Sequence, residues 1–167
     1  EDFLNKVPSQ QPFMATSCCP AWSVMAKKCF PDFKPYISMA LTPMVLTGRL
    51  IKKEKPNAKV VFIGPCAAKK LEASRKSVRS DIDFVLTFEE VMGMFEAKNI
   101  DIEALSGDDT FVEGSGDGRG FAVSGGVANA VKQVILAKHP EMQVNIDSAE
   151  GLKNCKTMLM LAKAGKR

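Results

Sequence analysis

Lys59-Val60-Val61-Phe62-Ile63-Gly64-Pro65-Cys66 is the stretch on which the fold turns. Four apolar residues in succession, three of them β-branched, make a run too short for a helix. Without polar alternation, they have the pattern of a strand buried on both faces in a parallel sheet. Gly64-Pro65 ends the strand and leaves Cys66 on the loop beyond its carboxyl end. Asp83-Phe84-Val85-Leu86 reads as a further strand.

The flanking segments carry helix punctuation. Thr42-Pro43 opens a helix, with Thr42 as N-cap and Pro43 in the first turn. It runs to about Lys53, and Pro56-Asn57 breaks the chain. Thr87-Phe88-Glu89-Glu90 is a capping box, and Val91, Met94 and Phe95 give its helix an apolar face. Toward the amino end, Glu1 to Val7 reads as the tail of a helix. Pro12 to Thr16 reads as a short strand delivering Cys18 and Cys19. Pro20 opens the next helix, where Trp22, Met25, Ala26 and Cys29 recur at i, i+3, i+4 and i+7, so Cys29 is expected in the core. Ser106 to Gly120 reads as an exposed loop. Phe121-Ala122-Val123 is expected to be a strand, Val127 to Lys138 a helix, and Val144-Asn145-Ile146 a strand. A last helix is capped by Ser148, lined by Leu152, Cys155, Leu159 and Ala162, and stopped at Gly165.

Strands alternating with helices give an α/β fold. The expected architecture is an open, mostly parallel sheet flanked by helices on both faces, in a single domain over residues 1–167. Ligands of such sheets gather beyond the carboxyl ends of the strands. Cys18, Cys19, Cys66 and the Ser124-Gly125-Gly126 turn all follow predicted strands.

Composition narrows the function. The chain has 167 residues, 46% of them hydrophobic, and a net charge of +4. That is enough to bury a core, but the charge is mild and scattered, without the aromatic-basic interleaving of a nucleic-acid surface. No apolar run approaches the ~20 residues of a membrane span. Neither nucleic acid nor membrane is therefore expected as a partner. Five cysteines, at 18, 19, 29, 66 and 155, cannot all pair within one chain. Their setting favours a reducing compartment, and the expected localisation is cytoplasmic.

Adjacent cysteines rarely serve one another, because a vicinal disulfide closes a strained ring. Cys18 and Cys19 more naturally divide labour, one binding a metal and the other facing a second chemistry. Cys66 follows Cys19 by 47 residues. An iron–sulfur cluster normally wants four thiolates, so these loops offer half a site. Zinc would also want four ligands, and a nucleophilic cysteine would want a histidine base. The only histidine is His139, beside Pro140 after a helix, where it reads as a surface residue.

Thr16-Ser17-Cys18-Cys19-Pro20-Ala21-Trp22 and Gly64-Pro65-Cys66-Ala67-Ala68-Lys69-Lys70-Leu71-Glu72 together resemble the first two signature motifs of the [FeFe]-hydrogenase large subunit, TSCCPxW and xPCxxKxxE. Gly120-Phe121-Ala122-Val123-Ser124-Gly125-Gly126-Val127 looks like a third. The family's last motif, CxGGC, is absent before the sequence stops at Gly165-Lys166-Arg167. The resemblance implies that residues 1–167 are a piece excised from a larger hydrogenase-like catalytic domain.

The resemblance also implies chemistry. In the full-length protein Cys19 and Cys66 would be two of four ligands of a [4Fe-4S] cluster linked to a diiron unit, together the H-cluster. The isolated piece would lack the cofactor and be inactive. Cys18 would relay protons rather than ligate, and Ser38 would lie further along the proton path. Glu1 falls near a relay glutamate of the family. Lys69 would donate to an iron-bound cyanide, with a solvated helix-start lysine as the plainer reading. Glu72 would close its motif, or simply stabilise a first helical turn. Thr42, Pro65, Phe121 and Ala122 would line the cofactor with Lys69, although Thr42 as an N-cap needs no further role. Gly125 and Gly126 would let backbone approach the cofactor, or form a plain turn.

Some positions depart from the family. Gly64 stands where many members have methionine, Thr42 where serine is usual, and Ala122 where glycine is common. The departures point to a divergent branch, sensory or of low activity. Three functions follow from the resemblance. The first is reversible reduction of protons to H2 in an anaerobe, with ferredoxin or another electron carrier. The second is hydrogen sensing coupled to a signalling module. The third is a non-catalytic role in iron–sulfur assembly. Homologues of the third kind generally lack the first cysteine of the pair and the intact lysine motif, whereas Cys18 and Lys69 are both present.

Overall fold

A computed structural model of the chain describes residues 1–107 and 114–166. In chain order the elements are α1 (Asp2–Lys6), α2 (Pro20–Cys29), a 3-10 segment (Pro31–Tyr36), α3 (Pro43–Glu54), β1 (Val61–Gly64), α4 (Ala68–Ala73), β2 (Phe84–Thr87), α5 (Phe88–Ala97), α6 (Gly116–Arg119), a 3-10 turn (Gly120–Ala122), α7 (Gly126–Lys138) and α8 (Leu152–Lys163). They form two compact units. One takes Glu1–Thr16, Trp22–Ser38 and the described residues of 110–167; the other takes Ser17–Ala21 and the described residues of 39–109.

The second unit holds the sheet. β1 and β2 run parallel in register Val61↔Phe84 to Gly64↔Thr87, so the α/β arrangement with parallel strands stands as expected. Met44, Val45, Val78 and Ile82 are its buried core, and Val60, Phe62, Ala73 and Val85 pack on them. Complete burial of β1 is not what the structure shows. Val61 and Ile63 are 46% and 50% exposed and Phe84 60%. Successive strand residues face opposite ways, and one face of this sheet meets the core while the Val61–Ile63 face stays open.

Polar contacts set the ends of these elements. The Thr42 side chain accepts from the Val45 N–H at 3.4 Å, capping α3. At α5 the Thr87 hydroxyl accepts from Glu90 N–H at 3.3 Å, and the Glu90 carboxylate accepts from Thr87 N–H at 2.8 Å. Arg49 grips Asp81 with two bonds, 3.2 and 2.8 Å. The Asp83 carboxylate joins three segments, accepting from Val60 N–H and pairing with Lys52 of α3, both at 2.8 Å.

Lys52, and then the Val60 N–H, hold the Asp83 carboxyl below its ordinary range. A carboxyl with a lowered folded pKa stabilises the fold above its unfolded value of about 3.9. That contribution is lost as pH falls through the folded value. Asp83→Asn should therefore lose less of its urea midpoint than the native chain between about pH 6 and pH 3. Identical losses would show that Asp83 does not carry the acid sensitivity.

Gly48 allows α3 to lie against the 78–82 turn. A Cβ there would stand 2.5 Å from Ile82 Cδ1 and 2.6 Å from the Asp81 carbonyl oxygen. Gly48→Ala gains up to about 1 kcal/mol of helix propensity. Overpacking against fixed backbone costs about 1–3 kcal/mol and should win, so urea unfolding is expected to show a net loss of stability.

The first unit is built on aromatics. Ala26, Phe33, Ile37 and Leu159 are buried, with Phe13, Trp22, Phe30 and Tyr36 around them. The Phe13 ring lies 5.0 Å from Tyr36 and 5.8 Å from Phe33, centre to centre. The expected strand at Pro12 to Thr16 shrinks to one parallel bridge, Ala15 to Ile37. Trp22 Nε1 donates to the Thr16 carbonyl at 3.1 Å.

Several readings are corrected here. Cys29 ends α2 exposed, because the helix stops there and the chain turns at Phe30-Pro31. Phe121-Ala122 is 3-10 rather than strand, and no strand forms at Val144–Ile146 among the described residues. Neither segment is given a ladder partner. The last helix starts after Gly151, not at Ser148. Met94 is 55% exposed rather than facing a core. Of the loop expected over Ser106 to Gly120, Gly116–Arg119 is a short helix and residues 108–113 lie outside the described residues.

Candidate cofactor site

The two cysteine motifs meet in the second unit. Ser17 Oγ donates to the Ala40 carbonyl at 3.2 Å, which fastens the Cys18-Cys19 loop. Cys66 leaves β1 after Gly64-Pro65 and starts the turn into α4, its carbonyl accepting from Lys69 N–H at 3.1 Å. Lys69 on α4 then reaches across the chain. Its Nζ donates to the Cys18 carbonyl at 2.9 Å and pairs with Glu72 Oε2 at 2.8 Å. The Lys69 and Glu72 side chains are only 14% and 4% exposed.

This corrects two plain readings. Lys69 is not a solvated helix-start lysine, and Glu72 does more than serve a helix dipole. An ammonium has three donors, and these bonds use two. The third has no bonded partner among the described residues. A lysine at i and an acid at i+3 are visible in sequence, but their bond to Cys18, 51 residues away, is not.

None of the five cysteines is joined in a disulfide. Cys19 is exposed, Cys18 and Cys66 partly buried. No cluster of three metal-ligating side chains forms among the described residues. Cys19 and Cys66 lie on loops of the same unit, and two thiols do not fill a four-thiolate site alone. Pro65 is exposed beside Cys66, and Thr42 is occupied as the cap of α3. Gly64 is buried, and a Cβ on it would stand 2.7 Å from the edge of the Phe62 ring. The space a longer side chain would take at 64 is filled by Phe62.

The remaining predicted residues lie in the first unit. Ser38 Oγ donates to Asp2 Oδ2 at 3.1 Å. The carboxylate beside Ser38 thus belongs to Asp2. Lys6, and then Ser38, hold the Asp2 carboxyl below its ordinary range. Phe121 is 41% exposed on its 3-10 turn, which also carries the Ala122 backbone. Gly125 follows with φ 77°. At Gly126 a Cβ would come within 1.9 Å of the Gly120 carbonyl oxygen, so only glycine fits this turn. The turn opens a cleft of about 700 Å³ lined by Ser124, Asn129, Lys132, Asn145 and Ser148. His139 is a surface residue, 3.6 Å from Glu141.

Parallel strands among helices, with thiols on the loop after β1 and on the loop Lys69 ties to it, define a cysteine-bearing α/β domain. The chain belongs to the family described as the iron only hydrogenase large subunit, C-terminal domain, whose sequence model matches residues 1–167. It is 35% identical over 145 residues to the periplasmic [Fe] hydrogenase large subunit of Nitratidesulfovibrio vulgaris, covering 75% of this chain and 34% of that protein. It is also 32% identical over 100 residues to the cytosolic Fe-S cluster assembly factor NAR1 of Kluyveromyces lactis, covering 60% and 21%. The chain thus spans about a fifth to a third of the length of these curated relatives. An [FeFe]-hydrogenase structure, 21% identical, shares the fold at a TM-score of 0.67 over 99% of this chain and 61% of its own. Apo [FeFe]-hydrogenase HydA1 from Chlamydomonas reinhardtii is 25% identical with a TM-score of 0.61, over 90% and 42%. The domain is hydrogenase-like, and its relatives include both hydrogenases and assembly factors. No helix among the described residues is long and apolar enough to cross a membrane.

Proposed function

We propose that this chain is part of the catalytic domain of an [FeFe]-hydrogenase, which reversibly reduces protons to H2. The observation that carries the reading is the Lys69 ammonium held between the Cys18 carbonyl and the Glu72 carboxylate. A buried cation fixed beside the cysteine pair, with a donor to spare, suits an anionic group. Cys19 and Cys66 would hold two corners of a [4Fe-4S] cluster. The H-cluster, when bound, supplies the redox chemistry. The chain's own residues do the rest. Lys69 would orient an anion, and the Cys18 thiol would pass protons, as a group that can both give and accept one. Ser38 and the Asp2 carboxylate would lie further along the path. The reading carries with it a longer catalytic domain of which residues 1–167 are one part, an electron carrier such as ferredoxin, and a cytoplasmic setting that keeps the thiols reduced.

A second reading, iron–sulfur assembly, rests on the likeness to the NAR1 factors. The longer protein, produced with its maturation machinery, separates the two. Hydrogen evolution from a reduced viologen, with infrared bands of metal-bound CO and cyanide, is the expected result. Iron-loaded protein lacking those bands and evolving no hydrogen would establish the assembly reading instead. Bands with hardly any turnover would point to a sensor.

A further inference from the structure

α5 is rich in apolar residues and yet buries none of them. Phe88 and Met92 are 52% and 53% exposed. The chain then doubles back. Asn99 adopts a left-handed φ of 53°, and Ile100 N–H bonds the Phe95 carbonyl at 2.9 Å, the helix-ending arrangement that reverses direction. Ile100 and Ile102 thereby join Phe88, Met92 and Phe95 along a groove of about 690 Å³.

The rim of this groove is acidic. Glu89, Glu96, Asp101 and Glu103 line it, and no lysine or arginine does. Among the described residues no cation stands within 4.0 Å of these four carboxylates. Glu90, the remaining acid of α5, is engaged by Lys70 and Thr87 instead. The chain carries +4 overall, so four unneutralised acids around one apolar floor run against its general charge. Nucleic acid and anionic lipid are repelled by such a rim, and an acidic protein surface is too.

We infer that this groove docks a basic amphipathic helix of a partner protein. Apolar side chains spaced i, i+3, i+4 and i+7 would fill the floor, where Met92 adapts to their shape. Lysines or arginines would meet the rim. Glu89 and Glu96 are seven residues apart, about 10.5 Å along α5, which matches two basic residues two turns apart on the partner.

The test is a fluorescence-anisotropy titration of the 167-residue chain with a labelled leucine-lysine amphipathic peptide of about 15 residues, a length at which an isolated helix is marginal and docking can order it. Saturable binding that weakens with salt is expected. Glu89→Lys with Glu96→Lys should weaken it about tenfold, which is about 0.7 kcal/mol for each of the two rim pairs. Met92→Asp should weaken it as well. These side chains are exposed, and circular dichroism verifies that the variants keep their fold. A peptide with glutamate in place of lysine should not bind. The inference falls if the native chain does not bind the basic peptide, if the acidic peptide binds equally, or if the charge reversal changes nothing. It also falls if sedimentation reveals a dimer broken by Met92→Asp, since the occupant is then a second copy. Finally, if a Met92→Cys thiol is shielded from maleimide in the longer protein, the groove is covered by the same polypeptide.

Discussion

Glu72→Ala should cost the fold about 3–5 kcal/mol, the usual penalty for stranding one member of a buried ion pair. Glu72 is 3% exposed, and Lys69 has one other bonded partner, the Cys18 carbonyl. Removing the carboxylate leaves an ammonium, cut off from most of its water, on a single neutral acceptor. The loss should appear as a fall in urea midpoint with little change in slope. Replacing both partners, Lys69→Met with Glu72→Leu, removes the stranded charge along with the attraction. The double variant should therefore be more stable than Glu72→Ala alone, because buried pairs exchange for apolar residues at small net cost. If the single change costs less than about 1 kcal/mol, water reaches the pair, and Lys69 is not a fixed cation.

Cys18→Ala and Cys19→Ala should fail in different ways in the longer protein. Cys19 is exposed, and on the proposed reading, in which it would hold the cluster, its loss should lower iron content, cluster absorption and activity together. The Lys69 bond to the Cys18 carbonyl is one that removal of the thiol leaves in place. Iron should stay bound in Cys18→Ala while turnover falls by about 10²–10⁴, the range that a positioned acid–base group contributes. Cys18→Asp should restore part of the rate, since a carboxylate also exchanges protons. If Cys18→Ala lost the iron and Cys19→Ala kept it, the assignments would be reversed. If neither variant altered iron or turnover, the hydrogenase reading would fail.

Local chemistry was the legible part of this fold. Thr42-Pro43 and Thr87 with Glu90 start helices because a few neighbouring atoms satisfy each other. A parallel sheet followed from strands alternating with helices, and β1 and β2 pair in that sense. What sequence could not supply was the identity of the surface each run meets. Val61 and Ile63 look like core residues but lie on the open face of the sheet. Phe121-Ala122 has strand composition, yet the close approach of Gly126 to the Gly120 carbonyl bends the segment into a 3-10 turn. At the site, motif matching pointed to Cys18, Lys69 and Glu72 separately. Their joining depends on contact between loops distant in sequence.

The ring lying over Gly64 makes positions 62 and 64 interdependent. They sit two apart on one strand and share a face, and the ring edge occupies the room a side chain at 64 needs. Gly64→Met alone meets a collision, whereas Phe62→Ala alone leaves a void. Made in the same molecule, the two changes compensate, and their joint effect on stability should be smaller than the sum of the separate ones. An evolutionary route from glycine to methionine beside Cys66 would then be epistatic, passing first through a smaller residue at 62.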